Sequence, residues 1–351
     1  MHICARSVPP SLHMKTSLPV VSNPRIAAIT SVAIATLALG HVLHAQDVFT
    51  GGAGASPILG GDAGAYDFSN GSNWSNGTPN LQTSGSAQID SAGVTVDYYA
   101  GTYGDFVISN GGVLELTAGT FDQVTGNNWI QLQGNATILV NGGTFEQGSD
   151  SNNPFNCSNG NDLFEITSGA AVFDNPVHVA GSGQVSWDQT GGNVTSSGEF
   201  DFNGPGSSMS GGVLNVPLMT GVNGSGHSEF DFSGGVINLS TDDDGIYNGG
   251  TAWNGTTGWD LNFTLGSTGE LVFASGDTLS TVQAFVTDGQ IQYNNTIDTT
   301  GTTDFIVAQQ GNGTITVQLV GSSVPEPQTW AMFFGGIAGL ACFRRARKAR
   351  K

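Results

Sequence analysis

The chain has 351 residues, of which 53 are glycine, and only 11% of them are charged. All nine Lys and Arg residues lie at or before Arg25 or at or after Arg344, whereas all 28 Asp and Glu residues fall between Asp47 and Glu326. Because proteins bind the nucleic-acid backbone through Lys and Arg, this distribution excludes nucleic acid as a partner of the central region. An acidic surface of this kind stays soluble and repels anionic partners.

The first 45 residues predict a signal helix that directs the chain through the inner membrane. Lys15 and Arg25 precede an uncharged apolar stretch, residues 26–39, and small residues follow it. This is the order of regions in a secretory signal peptide, and we place its cleavage after Ala45. Translation from Met14 would give a shorter leading segment of the same kind.

The central region, residues 46–323, predicts an all-β domain. Glycine recurs every few residues, and each occurrence would cost a helix about 1 kcal/mol relative to alanine. Short runs of alternating apolar and polar residues between turn residues predict strands instead. These runs are Val94–Tyr98, Val113–Leu116, Thr137–Val140, Glu199–Phe202, Val236–Leu239, Leu271–Phe273 and Thr314–Leu319.

A repeated Gly-Gly motif indicates how these strands are arranged. A small or polar residue, two glycines and a strand-like run recur five times, starting at Asn110, Asn141, Thr190, Ser210 and Ser233. The last two spacings, 20 and 23 residues, suit one coil of a solenoid built from short strands. We therefore predict a right-handed parallel β-helix, with a β-sandwich as the alternative. The first spacing, 31 residues, fits poorly and implies an inserted loop.

A second repeat, Glu-Phe-Asp-Phe at 199–202 and 229–232, predicts aromatic ladders inside the coils. Strand alternation places both phenylalanines of a copy on one face and both carboxylates on the other. Burying one phenylalanine contributes roughly 2 kcal/mol. A half-buried strand with a solvated acidic face therefore accounts for the repeat, and a catalytic carboxylate pair or a calcium site is the functional alternative.

No motif in the central region indicates a reaction. A polysaccharide lyase needs Arg or Lys to abstract a proton or neutralise a uronate, and this region has neither. A Gly-x-Ser-x-Gly elbow and a His-Glu-x-x-His motif are also absent from the sequence. A glycosidase needs only two carboxylates at a suitable separation, but among 28 acidic residues some such pair is inevitable. We therefore predict a protein without catalytic activity and without a cofactor.

Three local patterns suggest weaker candidate sites. Ser240–Gly245 is the best calcium candidate, because oxygen ligands followed by glycine suit that ion. A solvated turn is the alternative, because adjacent acidic residues rarely bind one ion together. Trp253 and Trp259 bracket a polar segment, and aromatic platforms beside Asn and Asp are typical of carbohydrate contact, but the same residues could equally cap or fill the core of a solenoid. Cys157 with His178 or His227 could form a thiol nucleophile, although such a pairing is common by chance.

Residues 324–351 combine three features that act at a membrane. A short acidic motif between prolines comes first: Val324-Pro325-Glu326-Pro327. Its prolines keep the backbone extended. Residues 330–343 are apolar and predict a transmembrane helix, shorter than the ~20 residues that span a bilayer comfortably. Six of the last eight residues, including Arg344 and Arg345, are basic and would stay on the cytoplasmic side.

This order of parts resembles the PEP-CTERM sorting tail of exported bacterial proteins. The resemblance implies an exosortase-type processing enzyme as partner, and a transient or permanent hold in the inner membrane before the cell surface or extracellular space is reached. It also implies exopolysaccharide as a neighbour of the exported protein. The segment Tyr66–Pro79 is similar to the opening coil of autotransporter-like β-helix proteins, where Trp74 would cover the first coil.

Together these features predict a structural or adhesive protein of the cell surface or extracellular matrix. The alternative is a carbohydrate-binding module or a glycosidase that acts on exopolysaccharide from the same scaffold.

Overall fold

The computed structural model describes residues 46–54, 64–83, 85–99, 105–124, 129–147, 155–158, 162–180, 187–203, 206–221, 227–240, 246 and 258–321. All of them lie in one compact unit, His44–Lys351. The predicted signal peptide and the predicted transmembrane segment lie outside these residues. No helix within the described segments is long and apolar enough to cross a membrane.

Parallel strands stack coil upon coil in three stacks. The first stack contains β1 (Gln46–Val48), β3 (Ser86–Ile89), β6 (Val113–Leu116), the first half of β9 (Thr137–Gln147), the first half of β11 (Leu163–Phe173), β13 (Trp187–Gln189), β16 (Ser207–Met209), β19 (His227–Phe232), β21 (Gly258–Phe263) and β23 (Ile291–Tyr293).

The second stack follows the first along each coil. It contains β2 (Tyr66–Asp67), β4 (Thr95–Tyr99), β7 (Thr120–Val124), the second halves of β9 and β11, β14 (Asn193–Ser196), β17 (Val213–Val216), β20 (Val236–Leu239) and β22 (Glu270–Phe273). The third stack contains β5 (Phe106–Ser109), β8 (Ile130–Gln133), β10 (Phe155–Ser158), β12 (Val177–Ala180), β15 (Phe200–Asn203) and β18 (Met219–Thr220).

These stacks form the predicted β-solenoid. Six successive coils, from β3–β4–β5 to β16–β17–β18, place one strand or half-strand in each stack, so the first and last are five turns apart. Register partners in the first stack lie 20 residues apart at Asp188 and Ser208, and 27 apart at Ser86 and Val113. The β-sandwich alternative is wrong, because these strands pair in parallel and the sheets of a sandwich are antiparallel.

Glycines occupy the corner between the first and second stacks. Four of the five Gly-Gly copies lie at this corner, those that start at Asn141, Thr190, Ser210 and Ser233. The copy at Asn110 lies at another corner, between β5 and β6, so the inserted loop that we predicted is wrong. At Gly169, within β11, φ is +86° and a Cβ atom would lie 2.2 Å from the Gly143 oxygen of the preceding coil. A side chain there would separate the coils.

Aromatic rings fill the interior of the coils. Phe121 stacks on Phe145 with ring centroids 5.6 Å apart, and Phe164 stacks on Trp187 at 4.6 Å. The four phenylalanines of the Glu-Phe-Asp-Phe repeat are fully buried, as predicted.

The two Glu-Phe-Asp-Phe copies lie in different stacks, on β15 and β19, and therefore do not form one ladder. Instead the rings of Phe200 and Phe230 meet edge to face across the core, 5.7 Å apart. The predicted solvated acidic face is wrong for Asp201, which is only 6% exposed.

Both ends of the described solenoid are covered. At the first coil, Trp74 is 4% exposed, its Nε1–H donates to the Phe68 carbonyl oxygen at 2.8 Å, and its ring meets that of Phe49 edge to face, so it packs in the core there. At the last coil, β25 (Ile315–Leu319) pairs antiparallel with β22 and with β24 (Phe305–Gln309).

A helix also covers the last coil. Helix α1 (Leu279–Thr287) packs there through Phe285, whose ring stacks on Phe273 at 5.8 Å. No helix was expected here from the sequence. α1 forms in a glycine-free stretch, where the side chain of Thr278 caps its N-terminus by accepting from the Thr281 N–H.

Candidate functional site

A cavity of about 410 Å³ opens beside the first strand of the third stack. Among the described strands, only β8 pairs with β5, so the other edge of β5 faces the cavity. Segment 78–82 covers part of that edge, because the Ser109 N–H donates to the Leu81 carbonyl oxygen at 2.9 Å. The cavity therefore forms where the third stack begins, because no described strand precedes β5 in that stack.

The apolar part of the cavity is formed by Phe68, Pro79, Leu81, Tyr98 and Phe106. The Tyr98 and Phe106 ring centroids lie 4.8 Å apart, and the Phe68 ring meets Phe106 edge to face at 5.5 Å. Phe68 and Phe106 are buried in the core, whereas Tyr98 is partly exposed. The Tyr98 hydroxyl donates to the Asp105 carbonyl oxygen at 3.2 Å, and this hydrogen bond holds the Tyr98 ring in place at the cavity.

Polar groups surround this apolar surface. One oxygen of the Asp105 carboxylate accepts from the Trp129 N–H at 3.0 Å, and the other accepts from the Gln131 side-chain amide at 3.1 Å. Asn80 and Gln82 carry exposed side chains, and Asn80 Oδ1 accepts from the Gln82 N–H at 3.2 Å. The cavity thus combines a fixed carboxylate and two exposed side-chain amides with an aromatic surface.

A second polar group lies on the outside of the third stack. His178 Nε2 and Glu199 Oε1 are 3.8 Å apart, and their side chains are 37% and 42% exposed. Burial lowers the pKa of His178, and the nearby Glu199 carboxylate acts in the opposite direction. At 3.8 Å the two atoms are too far apart for a hydrogen bond, and the contact is an ion pair only when His178 is protonated.

Acidic side chains also follow one another on consecutive coils of the second stack. Asp67, Asp97, Asp122 and Glu146 are register partners from β2 to β9. Asp97 is fully buried and Asp122 nearly so. Within the described residues, no three or more His, Cys, Asp or Glu side chains are arranged to hold a metal ion.

Most residues singled out in the sequence fall outside the described segments. They are the sorting residues Val324, Pro325, Glu326, Pro327, Arg344 and Arg345, the cleavage residue Ala45, and Trp253. Of the calcium candidate Ser240–Gly245 only Ser240 is described, and the side chain of Cys157 is not described.

Trp259 follows the second of the two interpretations that the sequence left open, a place in the core. It lies in β21, is 1% exposed and contacts Phe202 with ring centroids 5.9 Å apart, so it belongs to the core and cannot be an exposed sugar platform.

The cavity residues were missed because they do not form a local motif. Asn80 and Gln82 precede β3, Tyr98 lies in β4 and Asp105 precedes β5, so only the coil brings them together. Comparison with family models, with curated proteins and with solved structures finds no match to this chain.

Proposed function

We propose that this chain is an exported structural or adhesive protein of a bacterial cell surface or extracellular matrix, without catalytic activity. The observation that carries the proposal is that polar side chains on the outside of the coils bind one another along the stack. Asn215 donates to Asn193 at 3.0 Å, and Asn238 donates to Asn215 at 2.8 Å. Such a ladder links successive coils and suits a scaffold.

The acidic residues that suggested a catalytic pair are engaged in the same way. The Asn262 side-chain amide donates to Glu229 at 2.9 Å and to Asp231 at 2.7 Å. These carboxylates tie β19 to β21. Their hydrogen bonds support a structural role for the second Glu-Phe-Asp-Phe copy.

The two terminal segments support delivery to the outside of the cell. The signal peptide predicted to end at Ala45 would start export, and the tail that resembles PEP-CTERM would bring the chain to an exosortase-type enzyme in the inner membrane. We further infer right-handed coils, because connections between parallel strands of one sheet are right-handed in about 98% of cases.

A carbohydrate-binding module is the second candidate, and the cavity beside β5 favours it over a glycosidase. Hydrolysis of a glycosidic bond requires two carboxylates around one bond. Asp105 is the single carboxylate among the residues that line this cavity, and both of its oxygens already accept hydrogen bonds.

Deleting the gene in the host tests the structural role. We expect the deletion to weaken cohesion of the extracellular matrix, and the wild-type chain to restore it. Variants Glu199→Gln and Asp231→Asn should restore cohesion equally well when present at the same level. Loss of function in one such variant, with normal abundance and location, would instead indicate an enzyme.

A further inference from the structure

We infer that the cavity beside β5 binds a neutral sugar unit of a polysaccharide. The inference rests on the proposed function, in which the chain belongs to a cell surface or extracellular matrix. At about 410 Å³, the cavity lies within the range of about 300–1,000 Å³ that is usual for small-molecule sites.

The apolar surface suits one face of a sugar ring. Sugar rings carry C–H groups on their faces and hydroxyl groups around their edges, so they pack on aromatic rings while the hydroxyl groups point away. Tyr98 is partly exposed at the cavity, and Phe106 supports its ring from the core at 4.8 Å. This support fixes the aromatic surface before a ligand arrives, which lowers the cost of binding.

The surrounding polar groups have hydrogen-bonding capacity that the described residues leave unused. Asn80 Nδ2 and the side-chain amide of Gln82 have no hydrogen-bond partner among the described residues. Each Asp105 oxygen accepts one hydrogen bond and can accept another. Sugar hydroxyl groups both donate and accept, so they can satisfy the amides and the carboxylate together.

The charge of the cavity selects a neutral sugar. Asp105 is negative, and the sequence contains no Lys or Arg between Arg25 and Arg344. Uronates, sulfated sugars and phosphorylated sugars would meet a carboxylate and no cation.

The geometry at the edge of β5 disfavours an extended peptide as the ligand. Leu81 already accepts from the Ser109 N–H at this edge, and Pro79 has no N–H to donate. A peptide strand added at this edge would therefore find the Ser109 N–H already hydrogen-bonded to Leu81.

Calorimetric titration of the full-length chain tests the inference. The probes are neutral oligosaccharides of glucose, mannose and galactose, and a polyuronate oligosaccharide of matched length. We expect binding of at least one neutral probe and weaker binding of the polyuronate.

Two variants test whether the sugar binds in the cavity. Asn80→Asp keeps the oxygen that accepts from Gln82 but removes the Nδ2 donor, and Gln82→Ala removes the second amide. Each should weaken neutral-sugar binding about three- to tenfold without changing the thermal midpoint.

Asn76→Asp is the matched control, because Asn76 is exposed on the same segment but does not line the cavity. It makes the same change of amide to carboxylate and should bind like the wild type. Absence of binding to every neutral probe would overturn the inference, as would preference for the polyuronate. Equal binding by the wild type and both cavity variants would place the sugar elsewhere. None of these results bears on matrix cohesion in the deletion strain, so the proposed function can fail or stand separately.

Discussion

Asp162 and Asp298 are two buried aspartates whose surroundings change the pKa in opposite directions. Burial raises the pKa of Asp162 to about 6, although its carboxylate accepts from the Ala136 N–H at 3.0 Å. Burial also opposes ionisation of Asp298, but hydrogen bonds from Asp304, Thr300 and Thr303 outweigh it and lower that pKa to about 2. The two residues should therefore give opposite contributions to the pH dependence of stability.

Between about pH 4 and pH 6, folded Asp162 keeps a proton that the unfolded chain has already lost. Its contribution to the free energy of unfolding therefore falls as pH rises through this range. Asp162→Asn keeps an oxygen for Ala136 and cannot ionise. We expect this variant to exceed the wild type in stability above about pH 6, by up to about 3 kcal/mol, and to lose that advantage near pH 4. Urea denaturation across this range measures the difference.

Asp298 provides the control of opposite sign. Its stabilising contribution is present above about pH 4 and is lost as pH falls towards 2, so Asp298→Asn should be less stable than the wild type at neutral pH. The difference should shrink as the pH approaches 2. If both variants differed from the wild type by a constant amount at every pH, the burial and hydrogen bonding described for the two sites would be incorrect.

At single residues, the sequence predicted burial better than it predicted binding. The inward phenylalanines at 200, 202, 230 and 232 followed from strand alternation alone. For Trp259 the sequence left both a sugar platform and a place in the core open, because the polar residues around it suit either. The sequence could not show that β21 places this ring in the core. It also could not bring Asn80, Tyr98 and Asp105 together, because their proximity depends on the path of the coil.

Coil stacking depends on glycine at the corner between the first and second stacks. The clash expected at Gly169 recurs in later coils: a Cβ atom on Gly191 would lie 2.1 Å from the Thr167 oxygen, and one on Gly212 would lie 2.4 Å from the Gly191 oxygen. Glycine is therefore required here because the backbones of successive coils approach closely. The positive φ that Gly169 and Gly212 adopt is a second reason for glycine at those two positions.

Gly169→Ala compared with Gly266→Ala separates these two requirements. Gly266 has a φ of +79°, but a Cβ atom there would meet nothing within 4 Å. Gly266→Ala should therefore cost about 1–2 kcal/mol from backbone strain alone. Gly169→Ala should cost at least twice as much, because the added methyl group must push the preceding coil away. Chemical denaturation of both variants measures the two costs, and equal losses would show that the coils are not in close contact at this corner.

Among the elements, strands were predicted well because alternation is a local signal. The runs at Val113–Leu116 and Val236–Leu239 match β6 and β20 residue for residue. Repeat spacing was less reliable, since Gly-Gly also occurs at the corner before β6. Helix α1 was missed because the high glycine content of the whole region hid one short stretch without glycine.

The whole molecule has to accommodate many negative charges with few partners. The formal net charge is −19, and the central region contains no Lys or Arg. Acidic residues also lie opposite one another on adjacent strands, which are about 4.8 Å apart, as Asp97 and Asp122 do. Like charges placed this close repel one another. The aromatic core and the ladders between coils must offset this repulsion.

For the whole molecule, the repeats in the sequence predicted the β-solenoid and its coil length. They do so because successive coils pack on one another in the same way. Function is harder to predict, since a solenoid can hold many kinds of site. The proposed function therefore depends on the two terminal segments as much as on the coils.

The intact mass and location of the protein in its host test the proposed export and sorting most directly. We compare the wild type with a variant in which Pro325, Glu326 and Pro327 are all replaced by alanine. We predict that the wild type is found outside the cell without residues 1–45 and without the basic end from Arg344 to Lys351, and that the variant stays in the membrane at a higher mass. If both proteins keep the basic end and share one location, the tail is not a sorting signal and the extracellular role is contradicted.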